Sequence, residues 1–430
     1  MSSLSRRLKA LQDDQPSSWS DTGTNSRPNL HGMLRYPAMM VPSMQGDIID
    51  AVVKSIDQEC AIVDPFVGSG TILTEALIRG LDFTGIDINP LAILVCQAKA
   101  AIDEGVDVEA AARHVVETYR LDVTETVDVS FPGLEKWFDR PAAVALSRLR
   151  RSIASLQDAD GRKVMWTLLA ETIRVCSNSR TSTYKLHKRA DNDKTGAAVI
   201  PTFEENIRRT LKRIAEYRSL IVNRPAPPGV QVYCGDVRNV VLEGESGKHR
   251  LLITSPPYGD NRTTIPYGQF SYLALRWIDA RDLPKATSGL IATAHTTDTA
   301  SLGGSLKDAA QKAAMVRGAS PTLDEFLASD RSDGPEGMRK VAAFMFDFLD
   351  GLRNLRDTFP GKAHWVITTG NRTANGQQVP FDDICREMLS HIGARPVDSV
   401  KRKLPTKRMP SKNSMGAMIT AETTLVAEFA

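Results

Sequence analysis

The chain has 430 residues, 42% of them hydrophobic and 24% charged, enough apolar material to bury one large core or two smaller ones. That composition excludes a disordered chain, and a formal charge of +3 gives no general reason to expect a polyanionic partner, so local clustering has to carry any such case. No run nears the ~18 consecutive apolar residues of a membrane span, and Met1 to Arg35 has no signal-peptide core, so a cytoplasmic location is expected.

Residues 1–30 are rich in Ser, Asp, Asn and Pro without sustained periodicity and read as a flexible N-terminal arm. Ile48, Ile49, Val52, Val53 and Ile56 then recur at helical spacing. The short apolar run Ala61 to Val63 ends at Asp64 and is followed by a glycine turn and a helix through Leu73, Ala76, Leu77 and Ile78, stopped by Gly80. A second run, Phe83 to Ile86, ends at Asp87; Asn89 and Pro90 fit the N-cap and first position of a helix over Leu91 to Ile102. Two such strand-helix units in succession imply a parallel sheet with right-handed crossovers.

Residues 106–228 interrupt this pattern with helical segments, including Ile207, Leu211, Ile214, Ala215 and Tyr217, and read as a helical insertion. The sheet resumes at Val230 to Cys234, Leu251 to Thr254 and His364 to Thr368, with a final strand over Thr424 to Phe429. A Gly/Ala/Ser/Thr-rich stretch, Thr287 to Gly337, has no assignable structure and marks a second insertion over 280–340. The fold class is therefore α/β, a doubly wound Rossmann-like sheet whose core is 31–105 plus 229–430. Cys60, Cys96, Cys176, Cys234 and Cys385 are far apart, with no zinc-ligand spacing, and read as reduced and structural; no metal is assigned.

In open α/β sheets ligands bind beyond the carboxyl ends of the strands. The loop Asp64-Pro65-Phe66-Val67-Gly68-Ser69-Gly70 lies at such an end, and Gly68 and Gly70 let backbone approach a ligand without an intervening Cβ. It lacks both the three-glycine dinucleotide fingerprint and the lysine of a phosphate loop, so a smaller zwitterionic guest fits better. Asp87, ending the next strand, can accept both hydroxyls of a ribose. By itself the loop is equally compatible with an ordinary glycine turn.

Ser255-Pro256-Pro257-Tyr258 follows a buried strand, and its prolines fix a rigid extended backbone at the sheet's carboxyl edge. A backbone carbonyl and the Ser255 hydroxyl can accept the two protons of an aromatic amine, while Tyr258 offers a stacking face. Two acceptors favour a pyramidal nitrogen whose lone pair can attack. The plainer alternative is a Pro-Pro turn beside a packed tyrosine; it is the pairing with the glycine loop, in order, that points to chemistry.

With both motifs present, the chain resembles the amino-methyltransferases that modify cytosine N4 or adenine N6 in DNA, over about residues 31–104, 230–279 and 341–429. The resemblance implies a class I fold and S-adenosyl-L-methionine as cofactor. His31 to Met44, with Tyr36 and Pro37, looks like the family's additional cofactor-contacting segment; Asp64, Phe66, Gly68, Gly70 and Thr71 match the methionine-binding loop; Asp87 and Ile88 match the ribose-binding position. Asp236 is similar to the acid that receives the adenine amino group. A serine before Pro-Pro-Tyr is more usual in cytosine-N4 enzymes, so Ser255 tilts the expected substrate toward cytosine. Tyr258 to Gln269 and Gly370-Asn371-Arg372 look like a subgroup of DNA methyltransferases, a likeness that does not assign a base. The departure from pattern is the gap of roughly 165 residues between Asp87 and Ser255, most of it helical insertion; 106–228, with its Ser177 to Tyr184 run, is the favoured target-recognition element and 280–340 a possible further DNA contact.

DNA is the expected partner, with a cognate restriction endonuclease or defence-system protein as a further candidate. Two basic clusters suit phosphates: Arg174 to Lys194, with Arg180, Tyr184 and Lys185, and Lys401 to Lys412, with Lys403 and Arg408. Asn261 and Arg262, next to the tetrapeptide, are further candidate nucleic-acid contacts. Either basic run also reads as a solvated surface. Adenine-N6 transfer shares every residue named. An RNA guanine-N2 enzyme would carry a larger domain ahead of Asp64, a protein glutamine methyltransferase would place Asn before the prolines, and a non-catalytic DNA-binding relative would not need both motifs intact.

Overall fold

The segment Cys60–Asp64 is buried at all five positions and forms β1, an inner strand of a seven-stranded sheet. The computed structural model describes residues 2–20, 27–190, 198–242, 248–261, 264–329, 335–370, 372–374, 377–403 and 421–430. The remaining strands are β2 (Asp82–Asp87), β3 (Val230–Cys234), β4 (His249–Thr254), β5 (Ala363–Gly370), β6 (Arg372–Ala374), β7 (Gln377–Val379), β8 (Arg395–Lys403) and β9 (Ala421–Phe429). Their order in the sheet is β3-β2-β1-β4-β5-β9-β8, with β6 and β7 forming a separate antiparallel hairpin.

β1 through β5 run parallel, while β9 is antiparallel to both β5 and β8. Strand order reverses at β1, with β2 and β3 to one side and β4 and β5 to the other. A crevice opens beyond the carboxyl ends where neighbouring strands connect in opposite directions, and here it lies between Asp64 and Ser255.

Alternate residues of the strands enter different cores, as a two-residue period requires. Ile62, Leu251, Ile253 and Val366 pack on one side with Ile48, Leu94 and Trp166. Val63, Leu252, Ile367 and Leu425 pack on the other with Phe344, Phe348, Phe381 and Met388. Both faces are therefore covered, which explains why the central strands read as continuous apolar runs.

The expected helix around Ile48 is Pro42–Val53, started by a proline at its first position. Asn89 caps Pro90–Asp103 through a 3.1 Å bond from the Leu91 amide. Within 106–228 the chain forms Val108–Leu121, Leu134–Trp137, Arg140–Ala154, Ala159–Cys176 and Val199–Leu220. Leu146, Trp166, Phe203 and Tyr217 from these helices share the core of Ile62 and Leu251. The stretch left unassigned from sequence contains the short helices Thr287–Leu290, Thr296–Ala300, Ala309–Val316 and Pro321–Ala328, followed by Pro335–Thr358. Among the described residues no helix is long and apolar enough to cross a membrane.

Two expectations need correction. Far from a flexible arm, residues before 30 include the helix Ser3–Asp14, capped by Ser2, with Leu4 and Leu8 buried. The Ser5 hydroxyl donates to Asp398 at 2.6 Å, and Gln12 and Gln15 bond the backbone of Lys401, so the helix lies along β8. Covering an edge strand this way blunts its tendency to pair with other chains. Trp19 is also buried, its indole donating to Asp47 at 2.7 Å. A few apolar anchors amid polar residues are enough for docking, though too sparse to give a periodic signal.

The second correction concerns Lys401 to Lys412. Its first three residues end β8, a strand missed because its charged residues hide the alternation. Arg402 is buried, paired with Glu422 at 2.7 Å and donating to the Trp19 carbonyl at 2.7 Å, so it is structural. The Lys403 backbone pairs with Ala421, while Lys407, Arg408 and Lys412 lie outside the described residues.

Because Trp19 is enclosed, Trp19→Ala is expected to cost about 3–5 kcal/mol in urea unfolding. A loss below about 0.5 kcal/mol would mean that the N-terminal segment is not docked in solution.

Candidate functional site

At the carboxyl end of β1 the chain turns through residues 65–70. Gly68 and Gly70 have φ of +51° and +73°, the left-handed region where a side chain is strained. The Val67 amide bonds the Ile86 carbonyl at 2.9 Å, which stitches the turn to β2. The Gly68 amide donates to Asp87 Oδ2 at 2.9 Å and the Asn89 amide to Oδ1 at 2.8 Å. Asp87 is thus held by the backbone amides of Gly68, Ile88 and Asn89 at the wall of the cleft.

Asp64 lies behind the turn, fully buried. Thr254 at the end of β4 donates to its Oδ1 at 2.5 Å and the Phe66 amide at 3.1 Å, while Oδ2 has no partner among the described residues. Burial pushes the Asp64 carboxyl up to about 7 despite those donors, and burial likewise lifts Asp87 to about 6. Lys99, also buried, donates to the Gly70 carbonyl and the Thr74 hydroxyl, both at 3.0 Å. Desolvation lowers its ammonium to about 8. Nothing local in the sequence marks Lys99 as a support of this loop, since it sits 29 residues away.

The turn faces an open cleft whose enclosed part is about 100 Å³. Of the residues singled out in the sequence, Tyr36, Pro37, Phe66, Gly68, Thr71, Asp87, Ile88, Asp236, Ser255, Pro257 and Asn261 line it. Asp64 and Gly70 shape the cleft from behind; Pro256 is buried. Tyr36 is held by Asn89, which donates to its hydroxyl at 2.9 Å, and its ring stacks on Tyr267 at 5.8 Å between centroids.

Tyr258 does not line this cleft. Its ring packs against Gly370 and Phe381, and its hydroxyl lies 3.3 Å from Ser255 Oγ. A side chain at position 370 would collide with that ring, which accounts for a glycine there. The stacking face expected of Tyr258 is thus largely directed at the protein.

Asp236 is gripped by the Arg238 guanidinium, whose Nε lies 2.9 Å from Oδ2. Arg238 also reaches Asp347 at 3.0 Å and the Ala300 carbonyl at 3.2 Å, and Lys312 completes the network by pairing with Asp347 at 2.6 Å. The second insertion thereby forms part of the cleft wall, contributing Thr297, Ser301 and Leu302, which sequence reasoning did not identify.

Among the expected nucleic-acid contacts, Arg180 and Tyr184 are exposed and Lys185 is half-buried on a loop following Ala159–Cys176. The loop is closed by backbone bonds between Arg180 and His187 and between Arg189 and Asn178, both 2.8 Å. Arg189 is buried and donates to the Ser179 carbonyl, so its charge serves the loop itself. Tyr184 meets Phe270 edge to face at 6.1 Å, and Phe270 meets Tyr36 at 5.4 Å, an aromatic chain from this loop to the cleft. Asn261 is buried in the cleft wall rather than on a surface, and Arg262 lies outside the described residues.

An added Cβ at Gly70 would lie 3.0 Å from Cys96 Sγ and 3.3 Å from Leu73, at a positive φ. Gly70→Ala is expected to destabilise the fold by about 2 kcal/mol in chemical unfolding; unchanged stability would mean that the turn is not held as described.

No family model matches the chain, and no solved structure matches it. Over 408 residues, covering 91% of this chain and 87% of the relative, it is 27% identical to the Type II methyltransferase M.MvaI of Kocuria varians.

Proposed function

We propose that the protein transfers a methyl group from S-adenosyl-L-methionine to the exocyclic amine of a base in DNA, with cytosine N4 as the target. The observation that carries this reading is that one cleft gathers the Gly68 loop, Asp87 and Asp236 on one side and Ser255 and Pro257 on the other. Similarity to a Type II methyltransferase across nearly the whole chain supports it. The sheet, covered on both faces, is read as the doubly wound Rossmann-like frame of a class I methyltransferase.

The residues present fit the cofactor. Gly68 leaves backbone bare at the cleft, and the Asp87 carboxylate and Asp236 both line it, acceptors of the kind that ribose hydroxyls and an adenine amino group require. Tyr36, Pro37, Phe66, Gly68 and Thr71 would hold its methionine part, Asp87 and Ile88 its ribose, and Asp236 its adenine amino group. Bound there, S-adenosyl-L-methionine supplies an electrophilic methyl group. Ser255 and a proline carbonyl accept hydrogen bonds from the N–H groups of the target amine and orient its lone pair, while the rigid prolines keep those acceptors in place; the one proton the nitrogen loses on methylation leaves to water. Tyr258 steadies Ser255 through the shared hydroxyl contact.

Arg180, Tyr184 and Lys185 are assigned to DNA contact, with the 106–228 insertion as target-recognition element and 280–340 as a second DNA-contacting insertion. A role in cytoplasmic restriction-modification, beside a cognate endonuclease, is the setting this reading suggests.

Incubation with methyl-labelled cofactor and duplex DNA, followed by mass spectrometry of the nucleosides, is expected to yield N4-methylcytosine. N6-methyladenine would reassign the base, and labelled RNA with unlabelled DNA would overturn the reading. Ser255→Ala and Pro257→Ala should lower transfer by about 100-fold with cofactor binding retained, whereas Asp87→Ala should chiefly weaken cofactor binding.

Ribose hydroxyls donate to Asp87 best when it is ionised, and its carboxyl titrates at about 6. Cofactor affinity should be full above that value and fall several-fold as pH drops from about 8 to about 5. A flat calorimetric profile would count against Asp87 as the ribose acceptor.

A further inference from the structure

Asn261 is 3% exposed, and its amide oxygen has no hydrogen-bond partner among the described residues. A buried acceptor without a donor costs about 1–3 kcal/mol, so its persistence calls for an explanation. The amide is not free to turn. Asn261 hydrogen-bonds Asp298, which also receives the Gly268 amide at 2.8 Å and the Gln269 amide at 3.4 Å. An ionised carboxylate can only accept, so the NH₂ group of Asn261 faces Asp298 and the oxygen is the group left over.

Asn261 lines the same cleft as Ser255 and Pro257 and belongs to the same segment between β4 and the helix Tyr267–Trp277. The residues assigned to the cofactor come instead from the ends of β1, β2 and β3 and from the segment around Tyr36. Asn261 thus belongs with Ser255 and Pro257 to the part of the lining that the cofactor assignment leaves unused. Ser255 shares its hydroxyl with Tyr258 at 3.3 Å, which occupies part of its hydrogen-bonding capacity.

We propose, resting on the reading above, that Asn261 is a substrate-contacting residue whose amide oxygen accepts a hydrogen bond from the target amine, sharing one of its two N–H groups with the Ser255 hydroxyl, and that Asp298 positions it. The second insertion then takes part in recognising the amine: it supplies the carboxylate that orients the acceptor and, through Gly268 and Gln269, holds the start of the helix behind it.

The test exchanges the two groups. Asn261→Asp sets two carboxylates against each other, and Asp298→Asn releases the amide orientation; each single variant should lower kcat on duplex DNA about tenfold or more. The double variant Asn261→Asp/Asp298→Asn restores one donor and one acceptor at the contact and should recover most of the loss. Calorimetric cofactor affinity and melting temperature should stay within about twofold and a few degrees of wild type in the double variant. Full activity in Asn261→Ala, or a loss of cofactor affinity equal to its loss of transfer, would overturn the proposal. So would a double variant no better than the single ones while still folded and binding cofactor. Absence of transfer to DNA by the wild type would instead overturn the reading of the site, and this inference with it.

Discussion

The buried Asp64 carboxyl, bonded at 2.5 Å to Thr254, ties the ends of β1 and β4 where the sheet changes direction. One strand leads into the glycine turn, the other into Ser255 and its prolines, so this contact sets the spacing between the two halves of the site. A charged group placed there is costly, as its upward shift to about 7 records, and it persists because hydroxyl and amide donors surround one oxygen.

Around that join the site is assembled from parts distant in the chain. Lys99 supports the turn from below, Asn89 fixes Tyr36 across its mouth, and Arg238 links Asp236 to Asp347 and Lys312. Such ionic networks are weak evidence for stability, since desolvation offsets much of their attraction. Their value is geometric: each holds an acceptor at the cleft in one orientation.

Much of the sheet was legible beforehand. β1, β2 and β4 announce themselves as apolar runs ending in Asp64, Asp87 and the Ser255 tetrapeptide, and Asn89-Pro90 behaves as a cap followed by a first helical residue. The N-terminal helix and β8 escaped because their buried residues are few and embedded in polar sequence, so neither periodicity emerges. The same blindness made Arg402 look like a surface cation when Glu422 and the Trp19 carbonyl enclose it.

By itself the sequence determined the fold class and the two motifs, because hydrophobic period, glycine turns and proline stiffness are local properties of neighbouring residues. Only the tertiary structure decided which of the named side chains share a cleft, that Tyr258 turns toward Gly370 and Phe381, and that Asn261 answers to Asp298. Those outcomes depend on which distant donor meets which acceptor once both are removed from water, and the insertions that supply Asp298 and Ser301 carry no local pattern that reveals where they will land.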